Sequence, residues 1–380
     1  MRASLCFVAP NAYAVLSGDP QVAHVGGAEV QQVLVARGLA RRGHDVRFVT
    51  LDHGQSDGQQ IEGIRIFKTC RPGSGLPGLR LVHPKWTHLA AAMRRADADV
   101  YYQRTSGIES GQVCLWCRHH GRRFVFGVGS DADCQAALCT LSWPLERGLY
   151  RYGLTHADAV IAQTQAQRRM LAESFGLGGP GQAGRVAVVP SCRPLPAQVR
   201  AVRPAGPPRI LWVGRFSPSK RPEWCLELAR RRAHLHFDIV GAANRGSEYS
   251  REIYRQAQAL PNLTLHGYVP YERMDAFYQA ASVLLSTSLY EGFPNTFLEA
   301  WSHGRPVVGT ADPDAVVTGQ GLGRVGSDLE GLAAGLDELL NDPELWARAA
   351  SGAQGYVARH HSLDAAVAGY EAVLEDVMKT

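Results

Sequence analysis

Short apolar runs that end in Gly or Pro alternate along this chain with longer segments of helical period. In the first half the runs are SLCFVAP, DVRFVTL, IRIFKT, DVYYQR, RFVFGV, AVIAQT and VAVVPS. After residue 208 the pattern restarts with RILWVGR, HFDIVG, LTLHGYV, SVLLSTS, PVVGT and GLGRV. Such alternation is typical of βα units on parallel sheets. The sequence therefore predicts an α/β fold with two doubly wound, Rossmann-like domains that face a central cleft.

A segment rich in Pro and Arg separates the two runs. Residues 193–208 read RPLPAQVRAVRPAGPP and have no periodicity, which is typical of a linker. A chain of 380 residues is also too long for one ordinary hydrophobic core. We therefore expect an N-terminal domain over residues 1–203, a C-terminal domain over 204–360 and a final amphipathic helix over 361–380.

Composition bears on the cellular compartment. No stretch of about 18 uncharged apolar residues is present, so no spanning helix is expected. The N-terminus MRASLCFVAPNAY enters the first strand directly, which does not resemble a cleaved signal peptide. The eight cysteines show no framework spacing and fit buried thiols in a reducing compartment. The expected location is the cytoplasm.

Cys114 and Cys117 form a C-x-x-C pattern followed by His119 and His120. This could suggest zinc, but a second ligand pair at zinc-like spacing is absent and the segment has the pattern of one helix. We therefore predict no metal site here.

The charge is distributed unevenly. Residues 1–203 carry 24 Lys and Arg against 14 Asp and Glu, whereas the remainder carries 16 against 21. The basic half predicts contact with an anionic acceptor or surface, and an Arg-rich surface without such a role is the alternative. Trp86, Arg94 and Arg95 lie on a segment that fits either peripheral contact with an anionic membrane or an ordinary half-buried helix. Nothing resembles a nucleic-acid-binding module.

Two glycine-containing strand ends are candidate phosphate sites. In HVGGAEV, Gly26 and Gly27 open a helix whose N-terminus favours negative charge, although such turns are also common for structural reasons. In WVGRFSPSKRPE, Gly214 ends a strand, and Arg215 and Lys220 follow in a polar loop. Two cations at a strand end suit a diphosphate, and a solvated basic loop is the alternative.

Two further strands end at Gly241 and Gly267. The main chain there could pair with a flat heterocycle through its own N–H and C=O groups. Either glycine is weak evidence when taken alone.

The stretch YEGFPNTFLEA places Glu291 in a loop and Glu299 in the helix that follows. Asn295 or Thr296 is the expected N-cap. Helix capping or the helix dipole explains Glu299 but not Glu291. A ligand explains both, because each carboxylate accepts hydrogen bonds from a diol, one on a ribose and one on a hexose. The N–H groups of residues 292–296 between them, of which Pro294 offers none, would face a phosphate.

Three stretches, GGAE, VGRFSPSK and EGFPNTFLEAWSHGRPVVGT, occur in an order that resembles glycosyltransferase family 4 and related retaining enzymes of the GT-B fold. The resemblance runs over most of the chain and is strongest from about residue 209 to 310. It implies that the final helix crosses back onto the N-terminal domain. It also implies that the donor is a nucleotide sugar, UDP- or GDP-linked, with no other cofactor required.

The resemblance assigns roles to individual residues. Arg215 and Lys220 resemble the diphosphate pair, Glu299 the ribose ligand and Glu291 the contact to the hydroxyls of the donor sugar. The main chain of the intervening turn lies near that sugar, and Gly26 and Gly27 bring the first domain against the diphosphate. The expected donor-binding residues are Gly26, Gly27, Gly214, Arg215, Lys220, Gly241, Gly267, Glu291, Gly292, Phe293, Pro294, Asn295 and Glu299.

One departure from the family pattern concerns the acceptor side. Many members have a histidine in the first domain where this chain reads FVFGVGSDADC. Asp131 is the favoured replacement at the reacting centre and Asp133 the second choice. The string Asp131-Ala132-Asp133 also looks like a D-x-D metal motif, but Arg215 and Lys220 already supply the positive charge that such a metal provides. The expected catalytic residues are Asp131, Arg215, Lys220 and Glu291.

The resemblance implies a retaining hexosyltransferase that acts on a glycan, a lipid-linked acceptor or a small molecule, in glycan, glycolipid or cell-surface polysaccharide synthesis. The alternatives are a sugar-nucleotide epimerase of the same fold and a non-catalytic nucleotide-sugar-binding protein. The expected location is the cytoplasm, either free or peripheral at the inner membrane face, with no nucleic acid partner.

Overall fold

A computed structural model describes residues 3–19, 26–76, 81–137, 141–178, 185–196, 201–242 and 246–379. The chain divides into two units, one of Met1–Cys192 with Leu363–Thr380 and one of Arg193–Ser362. Each unit contains a mainly parallel sheet with helices, so the prediction of two doubly wound α/β domains is confirmed.

The first unit is built on an eight-stranded sheet in the order β3-β4-β2-β1-β5-β6-β7-β8. Its strands are β1 (Ser4–Val8), β2 (Asp45–Thr50), β3 (Gln59–Ile61), β4 (Ile64–Lys68), β5 (Val100–Arg104), β6 (Arg123–Gly127), β7 (Ala159–Ala162) and β8 (Val186–Val188). All neighbours are parallel except β3 and β4. The central strands are buried on both faces, which is why they read as continuous apolar runs.

Helices cover this sheet. They are α1 (Tyr13–Ser17), α2 (Gly27–Arg41), α3 (Thr87–Ala96), α4 (Ile108–His119), α5 (Pro144–His156) and α6 (Gln165–Phe175). A π-helical turn at Leu81–Trp86 precedes α3, and a 3-10 turn spans Asp131–Cys134. Two glycines allow α4 and α5 to approach closely, since a Cβ at Gly111 or Gly153 would lie 2.4 Å from a main-chain oxygen of the other helix.

The second unit is built on a six-stranded parallel sheet in the order β11-β10-β9-β12-β13-β14. Its strands are β9 (Arg209–Val213), β10 (His236–Val240), β11 (Leu263–Gly267), β12 (Val283–Ser286), β13 (Val307–Gly309) and β14 (Gly323–Val325). Its helices are α7 (Pro222–Arg231), α8 (Glu248–Gln258), α9 (Met274–Ala280), α10 (Asn295–Ser302), α11 (Val316–Gly319), α12 (Leu329–Asn341) and α13 (Pro343–His360). Short 3-10 turns lie at Tyr271–Arg273 and Pro313–Ala315.

The final helix, α14 (Leu363–Lys379), belongs to the first unit. It packs on α2 so closely that a Cβ at Gly38 would lie 2.3 Å from Val367 Cγ2. The hydroxyls of Tyr370 on α14 and Tyr102 on β5 are 3.0 Å apart and hydrogen-bonded. These contacts bury the apolar face that made the tail amphipathic in sequence.

The unit boundary falls at Cys192 and Arg193 rather than at residue 203 as the sequence suggested. Part of the Pro- and Arg-rich segment is bonded into the second unit. Arg193 Nη2 lies 2.7 Å from Asp275 Oδ1, and Arg203 Nη1 lies 2.9 Å from the Leu340 carbonyl oxygen. Such long-range bonds leave no local pattern in the sequence. The chain returns to the first unit after Ser362, and the final helix was expected to begin at residue 361.

The described cysteines are buried and unpaired, and Cys139 lies outside the described residues. Burial raises the pKa of the Cys114 thiol to about 12, so this group stays protonated. His120 stacks on Trp116 instead of turning toward a metal, with ring centroids 4.2 Å apart. Within the described ranges, no three His, Cys, Asp or Glu residues lie where they could hold a metal ion. No helix in those ranges is long and apolar enough to cross a membrane.

Candidate functional site

The loop after β9 carries both predicted cations of the second unit. Arg215 is exposed, and no described residue forms an ion pair or a side-chain hydrogen bond with it. Lys220 is partly buried, and its Nζ lies 2.5 Å from Glu291 Oε1. The structure therefore brings Lys220 and Glu291 together, although 71 residues separate them in sequence.

Thr287, just after β12, joins this loop to the loop that carries Glu291. Its hydroxyl lies 2.7 Å from the Lys220 carbonyl oxygen and 2.9 Å from that of Arg221. Trp212 Nε1 donates to the same hydroxyl over 2.9 Å. Because β9 and β12 are adjacent parallel strands, their carboxyl ends meet at one edge of the sheet. Thr287 thus helps to hold Lys220 beside Glu291.

Arg221 strengthens the same junction and was not predicted from the sequence. Its Nε donates to the Thr287 carbonyl over 2.7 Å and its Nη2 to the Ser288 carbonyl over 3.2 Å. Its guanidinium lies 3.9 Å from the centre of the Trp224 ring. Arg221 has a φ of 47°, which turns the chain into α7. The available signal was its place between Lys220 and a Pro-initiated helix, but that signal does not distinguish a structural arginine from a ligand-binding one.

The three predicted strand-end glycines lie side by side. Gly214 N donates to Val240 O over 3.0 Å, and Gly241 N donates to Gly267 O over 2.9 Å. A Cβ on Gly241 would lie 1.9 Å from the Gly214 carbonyl oxygen, so this position accepts only glycine. Gly267 adopts a φ of 66°, which also favours glycine. Protein packing explains Gly241 without a ligand, and a Cβ on Gly214 would likewise lie 3.0 Å from the Trp212 ring. Only Gly267 has open surroundings, with no described heavy atom within 4 Å of an added Cβ.

The Gly-Phe-Pro-Asn turn connects Glu291 to α10. Gly292 and Phe293 are buried, and in the described part of the chain no carbonyl accepts a hydrogen bond from their N–H groups. The Phe293 ring packs against Trp301, with centroids 6.0 Å apart, which anchors the turn in the core. The helix begins at Asn295, so Pro294 is the N-cap and the expectation of an Asn295 or Thr296 cap is wrong. The helix starts directly after Pro294 because the ring fixes its φ at −62°, which presets the chain for the first helical turn.

Glu299 points into a cluster of aromatic and charged side chains. Tyr278 is fully buried and its hydroxyl donates to Glu299 Oε2. Arg193 binds the Tyr271 hydroxyl and Asp275 nearby. The main-chain carbonyl of Glu299 also accepts from the His303 ring at 2.9 Å. Tyr278 and Arg193 were not predicted as neighbours of Glu299, because they come from distant parts of the sequence.

These surroundings alter the ionisation of Glu299. Burial raises the pKa of this carboxyl above its usual 4.5, and the positive charge of Arg193 and the hydrogen bond from Tyr278 oppose the rise. A donor hydroxyl and a cation beside a buried carboxyl prepare it to accept further hydrogen bonds in its ionised form.

In the first unit, Gly26 is the N-cap of α2 and adopts an extended conformation. A Cβ added to Gly26 would meet only the flexible side chain of Glu29, at 2.3 Å. Packing within the described protein therefore does not demand a glycine here. His24 and Val25, also part of the HVGGAEV stretch, lie outside the described residues.

The two aspartates of the first unit have different surroundings. Asp133 is buried, and its Oδ2 accepts from Gly129 N at 2.8 Å and Ser130 N at 3.1 Å, while Ser106 Oγ donates to Oδ1 at 2.6 Å. Burial raises the pKa of Asp133, and these hydrogen bonds oppose the rise. Asp131 is partly exposed, and Gln167 Nε2 donates to its Oδ1 at 3.1 Å. Asp133 thus holds its own loop in shape, and Asp131 is better placed to meet a ligand.

Comparison with solved structures identifies the fold. Sucrose-phosphate synthase from Thermosynechococcus elongatus superposes with a TM-score of 0.81 over 100% of both chains, at 18% sequence identity. At this identity the likeness shows the fold. Together with the two parallel-sheet domains, it confirms the predicted GT-B fold.

Two known families match different parts of the chain. Residues 207–342 match the family described as glycosyl transferases group 1, and residues 25–195 match glycosyltransferase family 4. The two matches together span more than half of the chain. This chain therefore belongs to the group 1 and family 4 glycosyltransferases, as its motifs indicated.

Curated relatives match only part of this chain. The chain is 29% identical to a D-inositol 3-phosphate glycosyltransferase of Geodermatophilus obscurus over 59% of its own length and 54% of the relative. It is 28% identical to the GtfA subunit of a UDP-N-acetylglucosamine–peptide N-acetylglucosaminyltransferase of Streptococcus gordonii, over 57% of its own length and 42% of the relative. The chain thus spans about half the length of the curated relatives it matches.

Proposed function

We propose that this chain transfers a hexosyl unit from a nucleotide sugar to an acceptor hydroxyl with retention of anomeric configuration. The observation that carries the proposal is the junction of the β9 and β12 loops, which places Lys220 beside Glu291 and leaves Arg215 without an acidic partner among the described residues. Cations at the carboxyl ends of parallel strands suit a ligand that carries a diphosphate.

The same cations would promote departure of the diphosphate. Negative charge grows on its oxygen as the glycosidic C–O bond breaks, and preorganised positive groups stabilise that charge. Lys220 would exchange part of its contact with Glu291 for the diphosphate, and Arg215 would add a second cation. The N–H groups of Gly292 and Phe293 would add donors without charge.

Glu299 is proposed to hold the ribose, with Tyr278 as its buried support. Glu291 is proposed to accept hydrogen bonds from the transferred sugar. Gly214 and Gly267 would line the base through their main chain. Asp131 is the proposed polar partner in the first unit, and the departing phosphate oxygen would take the proton of the acceptor.

We further propose that the donor is UDP- or GDP-linked and that no other cofactor is required. The Streptococcus gordonii relative is named for UDP-N-acetylglucosamine, which supports a nucleotide-sugar donor. The acceptor would be a glycan, a lipid-linked molecule or a small metabolite, in cell-surface or glycolipid synthesis. The protein would act in the cytoplasm, with the basic first unit available for peripheral contact with an anionic membrane.

The test is an assay of the purified protein against a panel of UDP- and GDP-sugars. Transfer to an acceptor or to water, with the anomeric configuration of the product followed by NMR, supports the proposal. Epimerisation of the sugar nucleotide, or tight binding without any turnover, contradicts it and favours the epimerase or the binding protein.

Donor affinity is expected to fall as the pH is lowered. A ribose diol needs an ionised carboxylate as its acceptor, and burial raises the pKa of Glu299 above its usual 4.5. Affinity should therefore be complete above the raised pKa and be lost as the pH falls through it. Calorimetric titration of the intact nucleotide sugar across pH measures this acid limb.

Variants identify which carboxyl group causes the loss of donor affinity at low pH, the acid limb. Glu299→Gln should bind the donor more weakly but without the limb, whereas Glu291→Gln should retain it. Tyr278→Phe should move the limb to higher pH, because the lost hydrogen bond favours the ionised form. Wild-type donor affinity in Glu299→Ala would rule out the ribose role.

A further inference from the structure

Arg104 is a buried cation that the donor site does not use. It is the last residue of β5 and only 8% of its surface is exposed. Its Nε is buried without a hydrogen-bond partner, and no described residue forms an ion pair with its guanidinium. The residues outside the described ranges include no Asp or Glu, so the sequence supplies no acidic side chain there either.

Other buried arginines of this chain are compensated. Arg193 pairs with Asp275 at 2.7 Å. Arg305 donates to the carbonyl oxygens of Tyr278, Val202 and Gln279 at 2.6 to 3.0 Å. A buried charge without such partners is strongly unfavourable. Arg104 therefore stands out as a cation that the described chain leaves uncompensated.

The cavity beside Arg104 has a mixed lining, and its polar side chains already bond one another or the main chain. The Tyr102 and Tyr370 hydroxyls are paired, and the Gln31 amide binds Cys192 N and O at 2.8 Å each. The Gln163 amide donates to the Val128 and Gly129 carbonyls at 3.1 Å each and accepts from Ser191 Oγ at 2.8 Å. These neighbours are neutral, so none of them offsets the charge of Arg104.

The shape of the cavity limits what can enter. The enclosed space beside the guanidinium is about large enough for one water molecule, and the remainder opens to solvent. One oxygen atom of a carboxylate or phosphoryl group fits there while the rest of the ligand stays in the opening. Arginine binds both groups through its forked N–H donors.

The location is also that of a ligand site. The cavity lies at the carboxyl ends of β5, β7 and β8, where ligands bind in open parallel sheets. We propose that Arg104 binds a carboxylate or phosphate group carried by the acceptor, and that this chain selects anionic acceptors. This inference rests on the proposed function, because it names the acceptor class for that reaction.

The binding test measures the Tm of thermal unfolding at constant ionic strength. In one comparison phosphate or acetate replaces sodium chloride. In the other, a hexose 6-phosphate is compared with the free hexose. The hexose 6-phosphate, and at least one of the two free anions, should raise the Tm of the wild type. Arg104→Gln should lose that rise, and the exposed Arg94→Gln should retain it. Arg104→Lys keeps the charge and should recover part of the rise.

The phosphate of the probe could also bind the proposed diphosphate loop, so Lys220→Met is measured alongside. A rise that persists in Lys220→Met and disappears in Arg104→Gln supports the proposal. A rise that persists in Arg104→Gln, or one that sodium chloride produces equally well, overturns it. Without any anion, Arg104→Gln should unfold at or above the Tm of the wild type, because an uncompensated buried charge has been removed.

The kinetic test uses an acceptor with and without its anionic group. Arg104→Gln should raise KM for the anionic acceptor about 10- to 100-fold, the usual worth of a charged hydrogen bond. KM for the donor and for the neutral acceptor should not change. An unchanged KM for the anionic acceptor in Arg104→Gln would refute the role of Arg104. If the wild type shows neither sugar transfer nor donor hydrolysis, the proposed function is refuted instead. The thermal test of Arg104 does not depend on that outcome.

Discussion

Replacing Lys220 by Met is expected to lower kcat for sugar transfer by about 10²- to 10³-fold, the typical loss when one preorganised donor to a developing oxyanion is removed. Met preserves the length of the side chain and removes its charge. Arg215→Met should cause a loss of similar order. Steady-state kinetics at saturating donor measure the effect on kcat, and the KM of the donor separates it from ground-state binding.

A second effect accompanies loss of Lys220, because Glu291 Oε1 lies 2.5 Å from its Nζ. The carboxylate left behind would repel the diphosphate. The double variant Lys220→Met with Glu291→Gln separates this repulsion from the loss of the cation, and non-additivity of the two changes measures their coupling. Arg348→Met, an exposed cation on α13, is the matched control and should keep wild-type rates. Near-normal rates in both Lys220→Met and Arg215→Met would remove the diphosphate assignment.

Gly241→Ala is expected to lower the free energy of unfolding of the second unit by about 3 kcal/mol, the upper part of the usual range for overpacking. The new Cβ would lie 1.9 Å from the Gly214 carbonyl oxygen. Neither segment can move away freely, since Gly214 N is bonded to Val240 O and Gly241 N to Gly267 O. Urea unfolding followed by circular dichroism measures the change.

Gly319→Ala provides the control for this substitution. No heavy atom lies within 4 Å of a Cβ at Gly319, and the residue is helical. It should therefore be neutral or stabilising by about 0.5 to 1 kcal/mol. A Gly241→Ala midpoint equal to that of the wild type would show that the strand ends can separate, and close packing would then not explain the glycine at position 241.

Much of the fold could be predicted from the sequence because its signals are local. Apolar runs of strand length alternate with helical periods, and each change is marked by Gly or Pro, so two α/β domains follow without tertiary information. The Glu291 and Glu299 pattern is local in the same way, since both residues flank one turn. The bonds that Arg193 and Arg203 make to residues far along the chain could not be predicted in this way, because they leave no local pattern.

The sequence by itself determined which residue types stand at the strand ends: glycines, two cations and two carboxylates in a fixed order. Only the tertiary structure decided which of them meet. Sheet order places β9 beside β12, and this adjacency brings Lys220 to Glu291 and lets Thr287 and Arg221 join their loops. Folding likewise surrounds Arg104 with neutral groups while Arg193 finds Asp275. Charge compensation depends on distance in space, and periodicity and turn chemistry carry no information about that distance between remote segments.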